Sequence, residues 1–334
     1  MPLIRYKGNP ILEPLPLHSW ESVAVFNPAA IYINGKVHLL YRAVGDSFIS
    51  VLGYAASSDG VHIDERLETP VYVPREPFEG AVSIPRQLLH TSRYISGVGI
   101  GGCEDPRLTR IGNRIYMTYV AFDGYSPPRA ALTSIPVIDF LAKNWRWRKP
   151  VLISPPGIVN KNACILEEQI GGKYVVFHRI FPNILIDFVD DLDFDGRTKW
   201  LTGQFSIPCR ADHWDSRKIG AGPPPLKTKD GWLLIYHAVD DLDESCYKIG
   251  AMLLDLKDPT NVLARSDRPI LTPQVQYEME GHKACVIYPC GAVQIGGKVF
   301  VYYGAADRAV CVATVRLDDL LAELVPQESL LQNP

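Results

Sequence analysis

One short pattern recurs five times along this chain and limits the available folds more than any other feature. A tight turn of Gly, Asn or Asp, preceded in four copies by an apolar residue, leads into an apolar run that closes on an aromatic. The copies are Ile33-Asn34-Gly35 leading to Leu39-Leu40-Tyr41, Ile111-Gly112-Asn113 to Met117-Thr118-Tyr119, and Ile170-Gly171-Gly172 to Val175-Val176-Phe177. Lys229-Asp230-Gly231 leads to Leu234-Ile235-Tyr236, and Ile295-Gly296-Gly297 to Val301-Tyr302-Tyr303. Aligned on Gly35, Asn113, Gly172, Gly231 and Gly297, they step by 78, 59, 59 and 66 residues. Such turns tolerate positive φ and carry the twist of a two-residue hairpin, so each copy predicts a β-hairpin.

Apolar segments at 52–56, 129–133, 183–188, 248–254 and 309–315 predict a third strand after each hairpin, and 70–74, 150–153 and 269–271 a fourth in some units. Five antiparallel units of three or four strands predict an all-β fold, a five-bladed β-propeller, as a single domain over 1–334. A large β-sandwich is the competing architecture, but five nearly even copies suit a ring better. The Pro-rich residues 1–20 are expected to wrap an edge. Residues 317–325, LDDLLAELV, have helical spacing, so a short C-terminal helix is expected to cap the ring, with a tail to 334.

Composition agrees. The 26 Gly and 27 Pro among 334 residues favour turns and short strands over long helices. With 34 Lys+Arg against 37 Asp+Glu, the net charge of −3 argues against a nucleic-acid binder. Seven cysteines occur without a CxxC pair, which disfavours structural zinc, and no metal is expected. They read as small buried apolar residues in a reducing compartment. No apolar run approaches the ~20 residues of a membrane span, and the N-terminal residues lack a signal-peptide core, so a cytoplasmic protein is expected.

In a propeller the first strand of each blade lines the axis. Eight residues before each aligned turn stand Asn27, Asp105, Pro223 and Pro289, with Lys161-Asn162 offset in the third unit. After each hairpin aromatic come Arg42, Val120, His178-Arg179, His237 and Gly304. Asn27, Arg42, Asp105, Arg107, Lys161, Asn162, Arg179 and His237 therefore converge on one end of the axis, and burying such groups is costly unless they serve a polar pocket. A hydrolytic glycosidase needs two carboxylates at the reaction centre, and the inner column offers one clear candidate, Asp105. Lys161, Arg179, His237 and Tyr247 are donors suited to a dianion, which points to phosphate in place of the second carboxylate. Asp59 reads as a turn residue, and His18, His62, His90 and His213 as surface residues.

GGCEDPRLTRIGNRIYMTY, NKNACILEEQIGGKYVVFHRI, KIGAGPPPLKTKDGWLLIYHAV, YKIGAMLLDLKDP and YYGAADRAVCVA together resemble glycoside hydrolase family 130, the inverting β-mannoside phosphorylases. The resemblance runs from about residue 27 to residue 319. It implies a five-bladed propeller and reversible phosphorolysis giving α-mannose 1-phosphate, with no cofactor and inorganic phosphate as co-substrate. It implies Asp105 as a general acid acting through the mannosyl 3-hydroxyl, with a raised or matched pKa. Lys161, Arg179, His237 and Tyr247 would hold phosphate; Asn27, Arg42 and Asp307 would hold mannose, with Arg107 and Asn162 beside them. One departure is Ala238 in YHAV, where many members have Gly.

Two other readings use the same residues. One is an inverting β-mannosidase, with Glu278, Glu280 or Asp240 recruited as base. The other is a non-catalytic carbohydrate-binding propeller. The β-1,4 or β-1,2 linkage and the acceptor stay open, being set by loops such as 48–50 and 122–128. Edge strands and termini leave room for a homo-oligomer.

Overall fold

The computed structural model describes residues 3–80, 94 and 97–326. His90 and the tail 327–334 lie outside the described residues. Strand accounts for 47% of the structure and helix for 6%, so the fold is all-β, a five-bladed β-propeller. No helix among the described residues is long and apolar enough to cross a membrane.

Each predicted hairpin forms the first two strands of a blade. Blade 1 runs Ala24–Ile33, Lys36–Val44, Ile49–Ser57 and Glu65–Arg66; blade 2 runs Gly101–Ile111, Arg114–Phe122, Arg129–Pro136 and Val151–Leu152. Blade 3 comprises Lys161–Ile165, Tyr174–Ile180, Asn183–Val189 and Phe205–Ile207. In blade 4, Lys218–Ala221 and Leu226–Lys227 both pair with Trp232–Val239, followed by Lys248–Leu254 and Val262–Ser266. Blade 5 has Ile287–Ile295, Lys298–Ala305 and Ala309–Arg316, and its outermost strand is Ile4–Arg5 from the other end of the chain. The ring thus closes by pairing the N-terminal segment onto the last blade.

The C-terminal segment departs from expectation. Helix covers Leu317–Ala322, and Leu324–Pro326 is a strand that pairs with Val262–Ser266 of blade 4. Leu317, Leu320 and Leu321 pack into the apolar layer between blades 4 and 5, so the helix plugs a seam rather than capping the axis. The outer strand of blade 1 also differs: it is Glu65–Arg66, and Tyr72 contributes a single bridge to Leu52.

Period-2 alternation explains the packing, because successive side chains of a middle strand face opposite neighbouring blades. Leu40 enters the core shared by blades 1 and 2, and Leu39 the core shared by blades 5 and 1. Three further apolar layers fill the remaining seams.

Every blade also carries a buried carboxylate against the ring or hydroxyl of its middle strand. Tyr41 donates to Glu21 (2.8 Å), Tyr236 to Asp215 (2.8 Å) and Tyr303 to Glu278 (2.9 Å), while Tyr119 donates to Glu79. In blade 3 the equivalent residue is His178, whose Nε2 lies 2.7 Å from Asp187, and the repeat aromatic Phe177 faces the opposite seam. In three blades an Arg from the fourth strand completes the clamp: Arg66 to Glu21, Arg265 to Asp215 and Arg5 to Glu278, each at 2.7 Å. Glu79 and Asp187 are satisfied by hydroxyls and backbone N–H groups instead.

The cysteine expectation needs correction. Cys246 and Cys285 form a disulfide, with Cα atoms 4.7 Å apart. They are 39 residues apart in sequence, and the pairing of Tyr247 with Val286 brings them together. Cys103, Cys164, Cys209, Cys290 and Cys311 are free thiols, four of them buried as expected.

Arg5 both closes the ring and neutralises a fully buried carboxylate. Arg5→Met is expected to lower the unfolding free energy in urea by about 3 kcal/mol, the scale for leaving a buried charge unpaired. A loss below about 1 kcal/mol would show that the closure does not depend on this pair.

Candidate active site

The inner strands place the polar column through a repeated irregularity. Register pairs Phe26 with Arg42, Glu104 with Val120, Lys161 with Arg179, Gly220 with His237 and Tyr288 with Gly304. The inner strand bulges immediately after this position in blades 1, 2 and 3, and one residue later, after Pro289, in blade 5. Asn27, Asp105 and Asn162 occupy the bulge with φ of 48°, 50° and 61°. Asn and Asp tolerate this left-handed region better than other side chains, and a bulge re-aims the residue it carries. The third-blade counterpart of Asn27 and Asp105 is therefore Asn162.

Two site residues owe their room to glycine. A Cβ on Gly304 would lie 2.1 Å from Asn27 Oδ1, and one on Gly220 would lie 2.5 Å from His237 Nε2. Neither position tolerates a larger residue without displacing its neighbour.

Asn27, Arg42, Asp105, Lys161, Arg179, Tyr247 and Asp307 line one pocket, joined by Lys283 and Tyr288. Arg42 anchors its acidic side. It donates to Glu104 (3.0 Å) and Asp105 (3.3 Å), and its Nε holds Ser50 Oγ at 3.0 Å. Asn27 Nδ2 donates to Asp105 at 2.8 Å, and Lys161 Nζ stands 3.8 Å from Glu104. Burial would push the Asp105 carboxyl up, but Arg42, Arg107, the Asn27 amide and Lys161 outweigh it and hold it below the usual range. The raised pKa expected for Asp105 is thus not a property of the free pocket. Asp307 behaves oppositely: burial pushes it up to about 6, against the pull of Arg42 and Lys283.

The other side of the pocket is cationic and centres on Tyr247. Lys218 donates to its phenol oxygen, and Arg179 Nη1 lies 3.3 Å from His237 Nε2. Burial would raise the Tyr247 pKa, yet Lys218, Lys283 and Arg179 bring it below the ordinary phenol value. His237 is fully buried, and burial together with Arg179, Arg107 and Lys218 keeps its imidazole neutral at pH 7. As an acceptor towards Arg179 it carries its proton on Nδ1.

Three expected ligand-binding residues are placed behind the pocket wall: His237, which backs Arg179, and two others. Arg107 donates to the main-chain carbonyls of Asp105 (2.7 Å) and Gly222 (3.1 Å), bracing blade 2 against blade 4. Asn162 donates to the Tyr288 hydroxyl and is fully buried. Two of the carboxylates considered as hydrolytic bases are engaged elsewhere, Glu278 with Arg5 and Tyr303 and Asp240 with Lys248, and the third, Glu280, is exposed and accepts from Gln276. Lys218 and Lys283 were missed. Lys218 opens the KIGAGPPP strand two positions before Gly220, whose register partner is His237, and so was legible; Lys283 lies in an irregular segment that carries no repeat signal.

One group of metal-ligand types lies close together among the described residues: Asp243, Cys246 and Cys285, within 4.8 Å. The two sulfurs are bonded to each other, which leaves one free donor. The opposite mouth of the axis opens a larger cavity of about 400 Å³, lined in part by Ile31, Leu108, Pro225 and Val293.

Residues 13–325 match the glycoside hydrolase 130 family, described as beta-1,4-mannooligosaccharide phosphorylase. The chain is 39% identical over 326 residues to a beta-1,2-mannobiose phosphorylase of Thermoanaerobacter sp. (strain X514), covering 94% of this chain and 97% of the relative. It is 38% identical over 330 residues to a 1,2-beta-oligomannan phosphorylase of the same organism, covering 95% and 98%. The solved structure of the beta-1,2-mannobiose phosphorylase from Listeria innocua, with beta-1,2-mannobiose bound, superposes with a TM-score of 0.76 at 26% identity, covering 97% of this chain and 99% of that one.

The Asp307 carboxyl supplies a test of the electrostatics. Its folded pKa of about 6 lies above the ordinary 3.8, so its contribution to stability is full below pH 4 and is lost as pH rises through 6. Asp307→Asn is expected to stabilise the fold at pH 7 by about 2 kcal/mol, with the gain vanishing below pH 4. Thermal denaturation across pH 3.5–7.5 reads this; a pH-independent difference would refute the assignment.

Proposed function

The chain belongs to glycoside hydrolase family 130, and from that premise we propose that it cleaves β-1,2-mannosides by phosphorolysis, releasing α-mannose 1-phosphate with inversion. The chain is a mannoside phosphorylase, an enzyme of the glycosyl-transferring kind. The carrying observation is the division of charge in the pocket. Its lining carboxylates, Asp105 and Asp307, face Arg42, whereas Arg179, Lys218 and Lys283 surround Tyr247. A water-activating carboxylate on the cationic side would lose its basicity, but a phosphate dianion is the group such donors complement.

In this reading the mannosyl ring rests between Asn27, Arg42 and Asp307. Phosphate sits on Lys161, Arg179 and Tyr247, with His237 orienting Arg179 from behind. Asp105 releases a proton through the mannosyl 3-hydroxyl to the glycosidic oxygen. The C1–O bond to the acceptor breaks, and a phosphate oxygen bonds C1 from the opposite face. A dianion beside Lys161 and Arg179 offsets the cations that hold Asp105 low, so phosphate binding raises the Asp105 pKa and prepares it to carry the proton. The reaction needs no cofactor beyond phosphate as co-substrate. The β-1,2 linkage is supported by the two relatives at 38–39% identity.

Incubation of β-1,2-mannobiose with the enzyme is expected to yield mannose 1-phosphate only when inorganic phosphate is added. Equal release of free mannose in phosphate-free buffer would overturn phosphorolysis in favour of hydrolysis. Mannose 1-phosphate supplied with mannose should give a β-1,2 product by NMR, and a β-1,4 product would overturn the linkage.

Two variants test the assigned roles. Asp105→Asn is expected to reduce kcat about 10³-fold. Gly304→Ala, by displacing Asn27 from Asp105, should cost about 10²-fold with the fold intact by circular dichroism.

A further inference from the structure

Two ammonium groups approach the Tyr247 ring, with Lys218 Nζ 4.4 Å and Lys283 Nζ 4.6 Å from its centroid. Lys283 is exposed and forms no ion pair among the described residues, yet it lines the pocket with Lys161, Arg179 and Asp307. Three cations gathered around one phenol repel one another, so something must hold them there until an anion arrives.

For Lys283 that restraint is visible in the chain. Its N–H donates to Ala306 O at 3.0 Å, and Cys285 N–H donates to Glu278 O at 3.1 Å. Tyr247 N–H donates to Cys285 O at 2.9 Å, and the Cys246–Cys285 disulfide joins the residue before Tyr247 to the residue two after Lys283. The bond spans from the loop entering the third strand of blade 4 to the segment entering blade 5, at the pocket end of both. Cys285 has φ of 62°, a left-handed conformation that an unconstrained Cys rarely adopts.

We propose that Lys283 is an additional anion-binding residue of the phosphate subsite, and that the Cys246–Cys285 disulfide positions it there. The proposal rests on the phosphorylase reading above. Reduction by a dithiol would transfer two electrons: the reductant closes to its own cyclic disulfide, and the protein sulfurs become two thiols. The Lys283 segment then loses its covalent tie to Tyr247, and phosphate is bound less tightly while the mannose side of the pocket keeps its contacts.

The experiment measures KM for phosphate and for β-1,2-mannobiose in wild type, Lys283→Met and Lys283→Arg, each oxidised and after dithiothreitol. Thiol titration of the denatured protein first fixes the redox state: five thiols of the seven cysteines when oxidised, seven after reduction. Lys283→Met is expected to raise the phosphate KM at least fivefold and the mannoside KM less than twofold, with Lys283→Arg within twofold of wild type. Reduction should raise the wild-type phosphate KM at least threefold and add less than twofold to Lys283→Met. A phosphate KM unchanged in Lys283→Met overturns the anion role. Seven thiols before reduction, or an equal effect of reduction on wild type and Lys283→Met, overturns the positioning role. Wild-type turnover that ignores phosphate would instead refute the phosphorylase reading itself.

Discussion

Five buried carboxylates, one per blade, hold this ring together. An apolar seam between two sheets resists separation but specifies sliding poorly, because dispersion and hydrophobic burial are nearly non-directional. Glu21, Glu79, Asp187, Asp215 and Glu278 supply the missing direction, since each accepts from the middle strand of its blade. A carboxylate desolvated in this way is tolerable only with its partners in place, so the blade must adopt one register to satisfy it. In blades 1, 4 and 5 the Arg that completes the clamp comes from the fourth strand, which ties the outer part of the sheet to its centre.

That rigidity is what the pocket draws upon. The residue after each clamp position points toward the axis, giving Arg42, Arg179, His237 and Gly304, and the bulge opposite presents Asn27, Asp105 and Asn162. Holding Arg42 against two carboxylates while crowding Arg179, Lys218 and Lys283 around Tyr247 requires a frame that does not relax. Relaxation would mix the two charge regions into ordinary ion pairs and leave nothing for a dianion to complete.

Much of this was legible along the chain. The hairpin turns located the blades, and Asp105, Arg42 and Arg179 fell at the pocket because propeller repeats convert sequence offset into spatial equivalence; Asp307 came with the family resemblance. The third unit was read one residue out of register, since Phe177 satisfies the apolar-aromatic pattern while His178 holds the clamp. Arg107 and Asn162 were read as ligand contacts because a polar residue in an inner strand looks the same whether it faces a ligand or a neighbouring carbonyl. Only the path of blade 4 shows that Arg107 is occupied by the Ala221–Gly222 backbone.

By itself the sequence determined the number of blades, the three inner strands of each and the family, because these follow from local turn chemistry, alternation and contiguous motifs. The tertiary structure alone decided which charges share a pocket and how they titrate. Ring closure by Ile4–Arg5, the Cys246–Cys285 bond and the approach of Lys283 to Tyr247 join residues tens to hundreds of positions apart. Coulomb interactions and desolvation depend on those through-space distances, and separation along the chain does not encode them.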